Sequence, residues 1–192
     1  SHIVSSCCYV ARDFDAELSA FKTAKGAAAC CYTIPASTTT RHGRAVVDRK
    51  EAAKLGNAAR VTIGNERIRI PEVLFSPQDI GIAQGGVAEA VVEAVGANHE
   101  ALREPLYSNI ITAGGCSKFA GFTERLQQGV RAGATNAADV SVRAVSGDPI
   151  AAAWRGAAAF AAQPFYADVC ATKADYYDGG AAAVGTKLFM CL

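Results

Sequence analysis

The stretch best suited to chemistry is ITAGGCSKFAGF, residues 111–122. An apolar run ends at Gly114-Gly115, and the helical pattern FTERLQQGVRAGA follows at once. Glycines between a strand and a helix let backbone N–H groups come close to a nucleotide, and they equally make a plain tight connection. Spacing alone leaves both readings open. No G-x-x-x-x-G-K-[ST] occurs, so the glycines are not a phosphate loop. There is no G-x-S-x-G either, and no local Ser-His-Asp or Cys-His pairing marks a nucleophile.

The other reactive residue types read as structure. The seven cysteines include the adjacent pairs Cys7-Cys8 and Cys30-Cys31, form no C-x-x-C, and lie away from the three histidines. That spacing fits neither a disulfide framework nor a metal site, and it points to reduced, mostly buried thiols. Asp13, Asp15 and Glu17 sit at a helix start, where acids favour the helix dipole. Glu66, Arg67 and Arg69 read as the solvated face of a strand, and the tyrosines of ADYYDGG (174–180) as packing groups at a helix end or loop.

The elements that must position these residues follow from periodicity. Cys7–Val10 is strand-like, and Phe14, Leu18 and Phe21 then recur at helical spacing. Residues 26–58 carry the weakest pattern, with loop chemistry in PASTTTRHGR and a short helix in VDRKEAAKLGN ending at Gly56-Asn57. ARVTIGNERIRIPE places alternating runs either side of Gly64-Asn65, which predicts a hairpin over Val61–Ile70 closed off by Pro71. VAEAVVEAVGA predicts a helix ending at Gly96. LYSNIITAGG predicts a buried strand with Leu106-Tyr107 leading into Ile110-Ile111, followed by a helix over 122–132 and a strand through Val140, Val142 and Val145. GDPIAAAWRGAAAFAA predicts a helix with Asp148 as N-cap and Pro149 in its first turn. This strand–helix–strand–helix order over 105–162 predicts an α/β arrangement.

The 192 residues suffice for one sizeable domain or two small ones, and 51% are hydrophobic with alanine dominant. Alanine supplies little apolar area, so Trp154, Phe75, Phe119 and Phe122 are the expected packing anchors. A formal charge of +1 with scattered basic residues gives no electrostatic case for nucleic acid, and no run is apolar and long enough for a bilayer. The chain opens on Ser within patterned sequence, which suggests a piece of something longer.

Several segments together are more specific than any one. CCYVARDFDAEL, VTIGNERIRIPEVLF, LYSNIITAGGCSKFAGFTERL, AAWRGAAAF and TKADYYDGGAAAVGTKLF occur in an order and spacing that resembles the actin family. Within it, the Pro77-x-Asp79-Ile80-Gly81-Ile82 run, the helix start at Gly86, Val87, Glu89, Ala90 and Val91, and Pro149-Ile150 before Trp154 are similar to the actin-related protein 6 branch.

The resemblance implies the C-terminal half of an actin-like (ribonuclease H-like) α/β ATPase fold. On that basis residues 1–105 are the end of a preceding lobe with a hairpin and helical insertion region, and residues 106–192 the C-terminal α/β part. Phosphate-binding hairpins and catalytic acids belong to the family's other half, so ATP is expected only with that half, and no metal ligand or catalytic residue is expected here. Gly114, Gly115 and Cys116 match the family's adenosine-side turn, with Phe119 in place of an adenine-side tyrosine. Ser5 stands where actin has a nucleoside-contacting glutamate, and Ile150 where it has a lysine beside the adenine. The resemblance further implies a non-catalytic scaffold subunit of a nuclear Swr-type chromatin-remodelling complex that exchanges a histone variant. Its expected partners are the remodelling ATPase and small zinc-finger subunits, with no membrane and no sequence-specific nucleic acid. The alternative is a fragment of a nucleotide-binding actin-like ATPase or a filament-forming cytoskeletal protein of the cytoplasm, and a third possibility is a truncated gene product that does not fold alone.

Overall fold

A computed structural model of the chain describes residues 2–23, 29–35, 42–54, 59–134 and 139–189. The Gly56-Asn57 helix stop and Cys191 lie outside the described residues. The chain divides into two compact units, residues 1–149 and 150–192.

The first unit opens with α1 (His2–Cys7) and α2 (Phe14–Thr23). The strand expected at Cys7–Val10 is absent. Cys8 N–H donates to the Val4 carbonyl at 3.0 Å, which extends the helical bonding of α1 by one residue. Tyr9 and Val10 then turn their N–H groups to partners far along the chain, the carbonyls of Arg67 and Ala120.

An antiparallel sheet follows in the region of weakest sequence pattern. Its central strand β1 (Cys30–Thr33) pairs with β2 (Ala45–Val46) on one side and β3 (Arg60–Ile63) on the other. Between them lies α3 (Arg49–Ala53), where the Asp48 carboxylate accepts from Lys50 N–H at 2.8 Å as an N-cap.

The hairpin over Val61–Ile70 is not formed. β3 takes β1 as its partner, and the chain winds into α4 (Glu66–Glu72). Ile68 N–H and Arg69 N–H both bond to the Asn65 carbonyl at 3.1 Å. Ile68, Pro71 and Glu72, spaced three and four apart, form the buried face, whereas Ile70 is 46% exposed. Pro71 does not break this short helix, although it lacks the N–H that would bond to the Arg67 carbonyl. That carbonyl instead accepts from Tyr9 N–H at 3.0 Å, so the lost bond is replaced by a tertiary one.

After a 3-10 turn (Pro77–Ile80) come α5 (Val87–Gly96) and α6 (Glu100–Tyr107). Leu106 and Tyr107 belong to α6, so the expected strand shortens to β4 (Ile110–Thr112), in which Ile111 is exposed and Thr112 buried. α7 (Phe122–Gly133) connects β4 to β5 (Val142–Ala144), and the strands pair in parallel with Ile110 opposite Val142. Parallel neighbours need such a crossover. Phe122, Leu126 and Val130, four apart on α7, are buried together with Val95, Tyr107 and Val142 in the main core. Burying a side chain such as Leu126 contributes about 1.5–3 kcal/mol. Phe75 and Phe119 pack half-buried against this cluster, as expected of anchors.

The second unit contains α8 (Ala152–Ala161), α9 (Tyr166–Val169) and α10 (Lys173–Phe189). α8 is entered through a 3-10 turn, Pro149–Ala151, so the helical course starts at Pro149, directly after Asp148. ADYYDGG, expected as a helix end or loop, lies inside α10, which is interrupted at Gly180 (φ 69°, ψ −177°), and Tyr176 and Tyr177 are exposed rather than packed in a core. No described residue of this unit is buried. Trp154 is therefore no core anchor: it is 72% exposed, and the described residues of its unit supply no buried core for an indole to enter.

Candidate functional site

The glycine turn lies where parallel α/β sheets place ligands, beyond the carboxyl ends of their strands. β4 ends at Thr112, and the turn runs from residue 113 to Gly121 at the start of α7. Beside it runs the segment that follows β5. Three contacts join the two: Val145 N–H to the Thr112 carbonyl at 3.1 Å, Gly114 N–H to the Pro149 carbonyl at 2.9 Å, and Lys118 Nζ to the Asp148 carboxylate at 3.3 Å.

The two glycines do different work. Gly114 takes φ +93°, in the left-handed region that side-chain-bearing residues avoid. Gly115 has φ −65°, ψ −37°, and a Cβ there would meet nothing within 4 Å. Conformational need thus falls on Gly114, and Gly115 leaves open space. A 3-10 turn over Cys116–Lys118 follows, held by Ser117 Oγ donating to the Gly114 carbonyl at 2.8 Å. The Cys116 side chain is exposed, and Phe119 turns inward to pack half-buried on the core. Gly121, at φ +83°, caps α7, and a Cβ there would overlap the Val10 carbonyl oxygen.

Part of the turn is engaged with the protein itself, whereas the backbone N–H groups of Gly115, Cys116 and Ser117 have no hydrogen-bond partner among the described residues. Gly114 N–H, Ser117 Oγ and Lys118 Nζ all have partners within the first unit. Ser5, where the family resemblance places a nucleoside contact, donates its hydroxyl to the His2 carbonyl at 3.0 Å. Ile150, the other such position, is 62% exposed.

Behind the turn, a clamp that the sequence reading missed fixes α7. The Arg125 guanidinium donates to both Glu72 carboxylate oxygens, at 3.0 and 3.3 Å, and to the Ala11 carbonyl at 2.9 Å. It also lies 5.3 Å from the centre of the Phe75 ring. Arg67 ties α4 to the end of α1 by donating to the Cys7 carbonyl at 2.8 Å and stacking over Tyr9 at 5.1 Å. No local signal could have revealed the Glu72–Arg125 pair, whose members are 53 positions apart. Only the helical spacing of Ile68, Pro71 and Glu72 hinted that Glu72 turns inward.

Two thiols at the end of α1 hold their protons more tightly than a free cysteine. Burial pushes Cys7 up to about 12, with the neighbouring Cys30 thiol adding to the shift, and burial also raises Cys8. Tyr9 is likewise pushed up to about 12, by burial first and then by Glu17, which accepts its hydroxyl hydrogen at 2.6 Å. Glu17 thus has a structural partner, and Asp13 accepts from Ala16 N–H at 3.0 Å at the start of α2. Among the described residues no three His, Cys, Asp or Glu side chains group as metal ligands, and no helix is long and apolar enough to cross a membrane.

The profile of the Actin family matches residues 1–189. The chain belongs to the actin family, and its mixed helices and small sheets are part of an actin-like α/β fold. Among its relatives, an Actin-like protein ARP6 of Yarrowia lipolytica is 33% identical over 90% of this chain and 44% of its own length. The Drosophila melanogaster Actin-related protein 6 is 31% identical over 94% of the chain and 46% of its own length. Over a shorter stretch, an Actin-related protein 5 of Oryza sativa is 41% identical, covering 63% of the chain and 21% of that protein. The chain spans less than half the length of the curated relatives it matches.

Proposed function

We propose that this chain belongs to a non-catalytic, actin-related scaffold subunit of a nuclear Swr-type chromatin-remodelling complex, which exchanges a histone variant into nucleosomes. Its partners are the remodelling ATPase and small zinc-finger subunits. The observation that carries the reading is the likeness to proteins named actin-related protein 6 across nine-tenths of the chain. The state of the glycine turn supports it. Gly114, Gly115, Cys116 and Phe119 are the proposed adenosine-side positions, and the cation among them, Lys118, is paired with Asp148. Such a turn offers a ligand its backbone N–H groups, without the two polar side chains that Ser5 and Ile150 replace. ATP, on this reading, is bound weakly or as a structural element, and only with the rest of an actin-like fold.

The test is sedimentation of nuclear extract containing the tagged longer protein that carries this chain. Co-migration with the remodelling ATPase in one large species is expected. Migration with actin filaments, or as a free monomer, would overturn the reading. A nucleotide-binding ATPase is the second reading, and one observation favours it: Gly114 lies beyond the carboxyl ends of two parallel strands, where nucleotides bind in open α/β sheets.

A further inference from the structure

The small core beside α1 has a polar edge built from two histidines and a tyrosine. The imidazoles of His2, at the start of α1, and His42, just ahead of β2, lie parallel, with ring centres 4.1 Å apart and 6° between their planes. Tyr32 on β1 joins them. Its hydroxyl oxygen accepts from Gly43 N–H at 2.8 Å and lies 2.8 Å from His2 Nδ1. Tyr32 is 4% exposed, and its hydroxyl has no other partner among the described residues. The hydroxyl hydrogen therefore goes to His2 Nδ1, which makes that nitrogen an acceptor and the ring neutral. Ser6 Oγ lies 3.3 Å from the same nitrogen. Gly43 sits close on β1: a Cβ there would overlap the Thr33 carbonyl oxygen. Thr33 N–H donates to the Arg44 carbonyl at 2.9 Å, and β2 pairs with β1 directly afterwards. The ring stack and the Tyr32 bonds thus hold the segment that leads into β2, residues 42–44.

Among the described residues neither histidine forms an ion pair, so no carboxylate offsets a proton on either ring. α1 packs against β1 and β2. α1 has no acidic or basic residue besides His2, and β1 and β2 have none. Arg44, ahead of β2, is paired with Glu51 at 2.6 Å. Arg60 on β3, the strand on the far side of β1, donates to the Ala52 carbonyl at 3.2 Å. The titratable neighbours are the thiols of Cys7 and Cys30, which pack with Tyr32 in the same core. We propose that His2, His42 and Tyr32 form a proton-sensitive latch, which holds residues 42–44 and β2 onto α1 and β1 and releases them when both imidazoles are protonated. Protonation puts two positive charges in parallel rings 4.1 Å apart and turns His2 Nδ1 from acceptor to donor, so the stack and the Tyr32 bond fail together. Histidine is the side chain whose ordinary charge change falls between about pH 5 and 8. The seated form holds fewer protons than the released form, so seating is complete above that range and is lost as pH falls through it.

The test uses the full chain and amide hydrogen exchange read residue by residue by NMR, corrected for the intrinsic chemical rate at each pH. Protection of the Gly43 amide falls about tenfold between about pH 8 and about pH 5, in step with the imidazole resonances of His2 and His42. The core amides of Leu126 and Val130 keep their protection over the same range. The double variant His2→Gln, His42→Phe holds Gly43 protection level, because glutamine can still accept from Tyr32 and neither side chain takes a proton. An unchanged urea midpoint at about pH 8 shows that the variant remains folded. If the double variant is unprotected at every pH, His42→Phe alone decides: it keeps a ring for His2 to stack on, and its protection at about pH 5 must exceed the parent's. Gly43 protection that ignores pH while the imidazoles titrate, that falls as steeply in the double variant, or that falls only together with Leu126 and Val130 would each overturn the proposal.

Discussion

Arg125 on α7 grips Glu72 on α4 across 53 positions of sequence, with N–O distances of 3.0 and 3.3 Å to the two carboxylate oxygens. Glu72 is 3% exposed, so the pair joins the helix after the glycine turn to the helix after β3 inside the core. Removing one member of a buried pair leaves an uncompensated charge. Arg125→Met is expected to cost about 3 kcal/mol in urea unfolding. Arg125→Lys should recover only part, because an ammonium cannot reproduce the two-pronged contact and the bond to Ala11 together. A loss below about 0.5 kcal/mol for Arg125→Met, the range of an ordinary surface substitution, would show that the clamp is dispensable.

The glycines of the turn separate by backbone geometry. Gly121→Ala is expected to cost about 2 kcal/mol or more, since φ is +83° and the new Cβ would overlap the Val10 carbonyl. Gly114→Ala meets open space at φ +93° and should cost about 1–2 kcal/mol from backbone strain alone. Gly115→Ala should stay within about 0.5 kcal/mol of the parent. Urea midpoints of the three variants check the order, and a Gly115 variant as damaged as the Gly121 variant would refute it.

Trp154 is set apart from the core by its exposure. Its fluorescence should be red-shifted and readily quenched by acrylamide, and Trp154→Ala should move the stability of the chain by no more than about 0.5 kcal/mol. A blue-shifted, protected emission would place the indole in a core instead.

Alkaline pH should weaken the fold. Cys7 and Tyr9 ionise near 12 in the folded chain, against 9.0 and 10.0 for the unperturbed groups, and Cys8 is raised as well. Raised values mean that the folded state holds these protons more tightly. The associated stability is complete below pH 9 and is lost as pH climbs from there toward 12. Urea midpoints measured across that window should fall, and Cys7→Ala with Tyr9→Phe should flatten the decline. An undiminished slope in the double variant would assign the decline to other groups.

What the sequence disclosed depended on how long each pattern ran. β4, α7 and β5 were legible because Phe122, Leu126 and Val130 repeat over a whole helix bracketed by apolar runs. α4 was misread because Ile68 and Ile70 alternate over too few residues to separate a strand from a helix, and Gly64-Asn65 imitates a hairpin turn. The sheet of β1, β2 and β3 left little trace, since β2 has only two residues and β3 alternates without burying either face. At the turn, the sequence marked Gly114 and Gly115 but could not tell which has the positive φ. Nor could it show that Lys118 pairs with Asp148, 30 positions away.

The proposed scaffold role is tested most directly by phosphate release from MgATP, measured on the purified chain and on the longer protein that carries it. The role predicts a rate indistinguishable from a no-protein control for the chain and no sustained turnover by the longer protein. Steady phosphate release well above control from folded, pure protein, increasing in proportion to its concentration, would contradict it and give the ATPase reading precedence.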